Sequence, residues 1–255
     1  MVPDFEPMRT ARDQYLGGSA MTNRSSFNST KFDEYNVTYD ITLARGLSIS
    51  GEDKDYFARH RIAWLADGLQ QLHQQPKAVM DFGCGTGSAT PLLFGLIGTQ
   101  SVVAIDTSAK CLDVAKRTRA CEHAQFLLYS QYKPSEQIDL AYSNGTFHHI
   151  PLNERAAAVN YVYRSLRHGG LFALWENNAW NPGTRYVMSR IPFDRDAIPL
   201  TPYEARHLLQ AGGFEALRTD FLFIFPRMLR WFRGIEPLLS KLPLGAQYQV
   251  LCRKP

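Results

Sequence analysis

Chemistry concentrates in one short run, Ala78-Val79-Met80-Asp81-Phe82-Gly83-Cys84-Gly85-Thr86-Gly87-Ser88. An apolar strand ends beside an acid and enters a turn with glycine at alternate positions. Glycine reaches φ > 0 without strain and leaves bare backbone for a ligand to lie against. A helix is expected over 88–97, and its first N–H groups would face back onto that turn. Asp81 sits where it would repel a phosphate but suit a cationic or hydroxyl-bearing group.

A second acid, Asp106, ends the apolar run Val102-Val103-Ala104-Ile105. It lies roughly twenty positions past the turn, where a dinucleotide fold places its ribose-binding carboxylate. The dinucleotide fingerprint G-x-G-x-x-G is nevertheless missing, because Gly87 and Ser88 follow Gly85 in its place. A third stretch, Ser143-Asn144-Gly145-Thr146-Phe147-His148-His149-Ile150, carries paired histidines. A histidine with a near-neutral pKa can take the proton that a hydroxyl or ammonium acceptor must lose. A structural pair that orients backbone or stacks on Phe147 fits the same residues.

The D-x-G-C-G-T-G turn and the acid ending the next strand resemble motif I and the following strand end of class I S-adenosylmethionine-dependent methyltransferases. The resemblance runs from about Phe32 to the C-terminus, with the two strand ends its diagnostic parts. It implies S-adenosyl-L-methionine as cofactor and S-adenosyl-L-homocysteine as product. It also implies that Gly83, Cys84, Gly85, Thr86 and Gly87 touch the amino-acid end of the cofactor, with Asp81 meeting its ammonium. Asp106 would accept from the ribose hydroxyls, with Thr107 and Ser108 beside the adenosine. Asn144, Gly145 and His148-His149 resemble the family's loop after strand four, where a histidine often borders the methyl group. Tyr35 and Tyr39 belong to a Y-x-x-x-Y-D stretch that in similar enzymes folds over the cofactor; a plain hydrophobic latch is equally open. Glu176, Asn177, Trp180 and Arg185 follow strand five and are expected to face the acceptor, with Trp180 as a wall and an arginine holding a carboxylate or phosphate; arginines that are simply solvated surface fit the same residues. Arg190 and Arg195 share that loop.

These residues need a frame to hold them. Ala58, Ile62, Leu65, Leu69 and Leu72 recur at helical spacing between Asp53 and His73. Beyond Pro76, strands are expected at 78–82, 102–106, 125–129, 138–143 and 171–176, with helices at 88–97, 108–118 and 153–167. Asn153 is expected to cap the last helix and Gly169-Gly170 to stop it. No helix fits between the third and fourth strands. Thr201-Pro202-Tyr203-Glu204 reads as a capping box, and strands near 219–225 and 246–252 complete the sheet. The expectation is an α/β, Rossmann-like, seven-stranded, mostly parallel sheet flanked by helices, its last strand antiparallel.

Residues 1–31 read as a flexible tail, and Met21 is an alternative start. Residues 32–255 form the methyltransferase domain, with 32–75 an N-terminal cap and helix and 226–245 a helical insertion before the last strand. That insertion alternates apolar residues with Arg227, Arg230 and Arg233. Packing on its own domain or on a second copy is weighed there against a membrane or acyl-substrate face.

At 255 residues with 45% apolar and 20% charged content, the chain is an ordinary globular one. A net charge of +4 without a basic block gives no case for nucleic acid. The loop S-N-G-T-F also differs from the N-P-P-Y type of methyltransferases that act on DNA bases or amide nitrogens. The cysteines Cys84, Cys111, Cys121 and Cys252 show no zinc spacing, and no metal is expected. No apolar run has membrane-spanning length, and a cytoplasmic location is expected. The sequence thus points to methyl transfer onto a small-molecule acceptor, with a homodimer open. The rival readings are a non-catalytic S-adenosylmethionine-binding protein and a nucleotide-linked oxidoreductase.

Overall fold

A computed structural model describes Gly46, residues 50–194 and residues 197–255. The expectations placed on the 1–31 tail, Tyr35, Tyr39 and Arg195 fall outside those residues.

Seven strands form one sheet: β1 (Ala78–Phe82), β2 (Ser101–Asp106), β3 (Ala124–Leu128), β4 (Ile138–Asn144), β5 (Leu166–Asn177), β6 (Glu215–Leu222) and β7 (Gln247–Arg253). Their order is β3-β2-β1-β4-β5-β7-β6. The first five run parallel, while β7 is antiparallel to both β5 and β6. The order reverses between β1 and β4, which puts a ligand crevice beyond their carboxyl ends.

Alternation along β1 sends Val79 to one face and Met80 to the other. On Val79's side, Ile62, Leu65 and Leu69 of helix α1 (Lys54–Gln71) pack with Leu140 and Trp175. On Met80's side, Val159 and Val162 of a later helix pack with Phe147, Phe172 and Val250. Both faces of the sheet are therefore covered, as a parallel sheet requires. Asp53 caps α1 by accepting from the Tyr56 N–H at 2.7 Å.

Some boundaries depart from the sequence expectation. The segment after the glycine turn is not a plain helix over 88–97. Turns run to Ala89, followed by a single α turn, α2 (Thr90–Leu92), and a π-helical stretch, Leu93–Ile97. Pro91 has no N–H for the ladder, and Gly95 and Gly98 are poor helix residues, so the ladder slips register. Helix α3 (Ala109–Arg119) starts as expected, with Ser108 accepting from Cys111.

Helix α4 (Arg155–Ser165) has Glu154 at its N-cap with no side-chain bond, so Asn153 does not cap it. Nor do Gly169-Gly170 stop it: β5 starts at Leu166 and bends through both glycines, Gly169 at φ 74°. A Cβ on Gly170 would lie 2.8 Å from the Arg167 carbonyl oxygen, so the bend needs glycine there.

The loop expected after β5 contains helix α5 (Pro182–Arg190), capped by Asn181, and a 3₁₀ turn at Pro192–Asp194. Helix α6 (Pro202–Ala211) has the full Thr201/Glu204 capping box. Strand β6 begins at Glu215, four residues earlier than the apolar pattern implies. The 226–245 segment is a 3₁₀ stretch, Arg227–Ile235, running into α7 (Glu236–Leu239).

Candidate active site

The glycine turn follows β1 directly, and Gly83, Gly85 and Gly87 all have positive φ, at 75°, 53° and 72°. A Cβ at Gly83 would overlap the Thr146 side chain, and one at Gly87 would come within 2.9 Å of Phe126. A Cβ at Gly85 meets nothing within 4 Å. The turn is thus packed from below and open above its middle residue.

Asp106 holds this turn in place. Its carboxylate accepts from the Gly85 N–H at 2.8 Å and from the Ser108 N–H at 2.9 Å. The two strand ends that the sequence singled out are therefore joined through one side chain. Asp81 is buried at 2% exposure, and its Oδ2 has no hydrogen-bond partner. Burial, with Asp106 nearby, pushes its pKa up to about 7.

Beyond β4, the backbone turns through Thr146 into a short 3₁₀ segment, Phe147–His149. Both side-chain oxygens of Glu176, from β5, are used there. One accepts from the Phe147 N–H at 2.7 Å, and the other lies 2.5 Å from His148 Nδ1. On the far side, Asp194 Oδ1 is 3.7 Å from His148 Nε2 and 3.4 Å from His149 Nε2. Burial alone would lower the His148 pKa, but Glu176 and Asp194 together push it up to about 10. At neutral pH this ring is an imidazolium clamped between two carboxylates.

A cavity of about 400 Å³ opens beside this group. Its lining includes Asn144, Gly145, His148, His149 and Asp194, with Asn177, Thr184, Met188 and Ile191. Arg61, Lys54 and Tyr56 reach it from α1, and Phe223, Phe225 and Arg233 from its outer side. Arg61 is 8% exposed, bonded to the Tyr142 hydroxyl at 3.4 Å and to Gln247 Oε1 at 2.9 Å.

The sequence-stated site residues therefore separate into groups. Asn144, Gly145, His148, His149 and Asn177 come together on the cavity, whereas Asp81, Gly83 to Gly87 and Asp106 form the adjoining turn. Trp180 is half exposed and Arg185 exposed, and neither borders the cavity, whereas Asn181 and Thr184 of the same stretch do. Glu176 lies beneath the wall, bound to His148, rather than on it. His148, expected as a base or as a structural residue, is held by Glu176 and Asp194, which favour its protonated form.

Arg61 and Asp194 were missed by the sequence reading. Arg61 did leave a signal, since it sits three residues after Ala58 and four before Leu65 on the buried stripe of α1. Asp194 left none.

A family model described as "Methyltransferase domain" matches residues 79–170, from β1 into β5. This domain match, with the fold, supports a class I S-adenosylmethionine-dependent methyltransferase. It is 26% identical over 218 residues to a trans-aconitate 2-methyltransferase of Methylobacterium nodulans, covering 77% of this chain and 83% of that protein. Another from Azoarcus sp. is 26% identical over 144 residues, covering 55% of this chain and 56% of that one. The chain thus spans about half the length of some curated relatives it matches. The fold also matches the plantazolicin methyltransferase BamL, solved with a triazolic desmethylPZN analog and SAH. There the TM-score is 0.59 at 16% identity, covering 88% of this chain and 99% of that one.

The family's cofactor is S-adenosyl-L-methionine, and this methyltransferase has the groups to hold it. The open space over Gly85 admits a ligand to bare backbone. The unpartnered Asp81 oxygen lacks a cation, which an ammonium supplies. Asp106, fixed at the turn, would be the carboxylate that a vicinal diol meets.

Proposed function

We propose that this methyltransferase transfers the methyl group of S-adenosylmethionine to a small acidic molecule held in the cavity beyond β4 and β5. One observation carries the proposal: the cavity lining includes Asn144, at the end of the strand beside β1, and the cations Lys54, Arg61 and Arg233 against the acids Glu52 and Asp194. The bound cofactor supplies an electrophilic methyl on a positively charged sulfur. The chain's own residues position the acceptor and exclude water.

Arg61 and Lys54 would take the acceptor's negative charge, Arg61 from a guanidinium already fixed by Tyr142 and Gln247. Trans-aconitate, the acceptor named for the relatives, is itself a polycarboxylate. A carboxylate arrives deprotonated, so its methylation needs no general base. That agrees with a His148 already holding its proton. His148 is then a positioning residue, its charge held at the cavity lining by Glu176 and Asp194. His149, leaning on Asp194, is the remaining candidate base for an acceptor with a hydroxyl. Tyr35 and Tyr39 keep their proposed role over the cofactor.

Transfer of labelled methyl from S-adenosylmethionine to a panel of di- and tricarboxylates, phenols and amines tests this reading. Label on acids alone supports it. Label on phenols or amines alone refutes the acidic acceptor, and absence of transfer to every class favours a binding protein without catalysis.

A further inference from the structure

Among the described residues, the 226–244 segment shows an exposed apolar face beside the cavity. In the 3₁₀ stretch Arg227–Ile235 no side chain is buried. Met228 is 76% exposed, Trp231 71% and Leu238 83%, with Phe232, Ile235, Leu242 and Leu244 also exposed. A monomer surface rarely shows this many large apolar side chains together. Pro226 and Arg233 of this segment, with Phe225 just before it, line the cavity itself.

Charge indicates what the face meets. Between Pro226 and Gly245 the chain has Arg227, Arg230, Arg233 and Lys241 against the single acid Glu236. Arg233 is paired with Glu52, and Lys241 with Asp220. Arg227 and Arg230 are exposed, and the Arg230 guanidinium lies over the Trp231 ring at 5.9 Å. Glu236 is turned inward, its Oε1 accepting from the Phe225 N–H at 2.9 Å. Tryptophan and leucine side chains flanked by arginine on a short helix are the chemistry of an interfacial segment.

Other occupants fit less well. Two copies meeting through this face about a twofold axis would bring arginines toward arginines. Residues 1–45 carry six acids and five bases, so they offer no acidic tract to match it.

We propose that the 226–244 segment docks this methyltransferase on an anionic lipid surface, with the cavity mouth against the membrane. Apolar side chains enter the headgroup boundary, and Arg227 and Arg230 meet lipid phosphates. An acceptor with an apolar tail would then reach the cavity past Phe225 without crossing open water.

The full chain is sedimented with vesicles of phosphatidylcholine alone and of phosphatidylcholine with phosphatidylglycerol, alongside light scattering without lipid. The proposal requires selective pelleting with the anionic vesicles that weakens as salt rises. Arg227→Gln with Arg230→Gln should lower partitioning on the order of thirtyfold. Met228→Ser, Trp231→Ser and Leu238→Ser together should abolish it while leaving the thermal midpoint unchanged, since all three side chains are exposed. Absence of pelleting with both vesicle types overturns the proposal. So does a dimer that the triple variant dissociates when vesicle binding is absent, which would assign the face to a second copy.

Discussion

His148 Nδ1 and Glu176 Oε2 lie 2.5 Å apart in a buried pair, with Asp194 Oδ1 on the other side of the ring. The pair joins the loop after β4 to the end of β5 and fixes the wall of the acceptor cavity. Its charge state has consequences at neutral pH.

The His148 ring should stay protonated well past neutrality. Its folded pKa of about 10 stands above the usual histidine value of 6.5. The stabilisation it gives is therefore fully present below about pH 6.5 and is lost as pH rises through about 10. Nitrogen NMR of the imidazole should show both ring nitrogens protonated at pH 8. Glu176→Gln should lower that pKa and cost about 3 kcal/mol of stability, since it leaves a buried cation short of a partner.

Asp106→Ala should weaken cofactor binding by at least about tenfold, because it removes charge-assisted hydrogen bonds. It should also loosen the turn, as the Gly85 and Ser108 N–H groups lose their acceptor. Calorimetry reads the first effect, and faster amide exchange at Gly85 reads the second. Unchanged affinity would remove Asp106 from the cofactor site.

Asp81 predicts a trade between stability and binding. Its folded pKa is raised to about 7, so burying the charged form is a penalty absent below the unfolded carboxylate pKa and fully present above about pH 7. Asp81→Asn removes that penalty and should raise the melting temperature of the cofactor-free chain by roughly 2–6 °C at pH 8. The same change should weaken S-adenosylmethionine at least about tenfold, by deleting the partner of its ammonium. A destabilised variant with normal affinity would contradict both halves.

Much of this could be read from residue order, and the failures have physical causes. The glycine turn and Asp106 are local chemistry at strand ends, so spacing alone located them. The helix after the turn was misjudged because Pro91 and Gly95 interrupt a ladder that apolar periodicity does not register. Strand β5 was started late because Gly169 and Gly170 read as a stop, while tertiary pairing carries the strand through them. Trp180 and Arg185 were assigned to the acceptor side because the helix start at Asn181 went unrecognised. Asp194 reaches the histidines only through the fold, which no sequence spacing records.

Arg61→Met should raise KM for an acidic acceptor by about tenfold or more while changing kcat less, since the loss is of binding to charge rather than of alignment at the methyl. Steady-state rates over a range of acceptor concentration read the split. An unchanged KM would move acid recognition elsewhere.

His149→Ala separates the two ways of losing the acceptor proton. With a carboxylate acceptor, turnover should fall by less than about tenfold and its pH profile should show no limb between pH 6 and 8. A fall of about a hundredfold or more that is relieved at high pH would make His149 a base.

The most direct measurement is calorimetric titration of the full chain with S-adenosylmethionine, S-adenosylhomocysteine and NAD(H), repeated on Asp106→Ala. The account predicts saturable one-to-one binding of both sulfur nucleosides, weakened in the variant, and no heat from the dinucleotide. Binding of the dinucleotide with indifference to both sulfur compounds would contradict it.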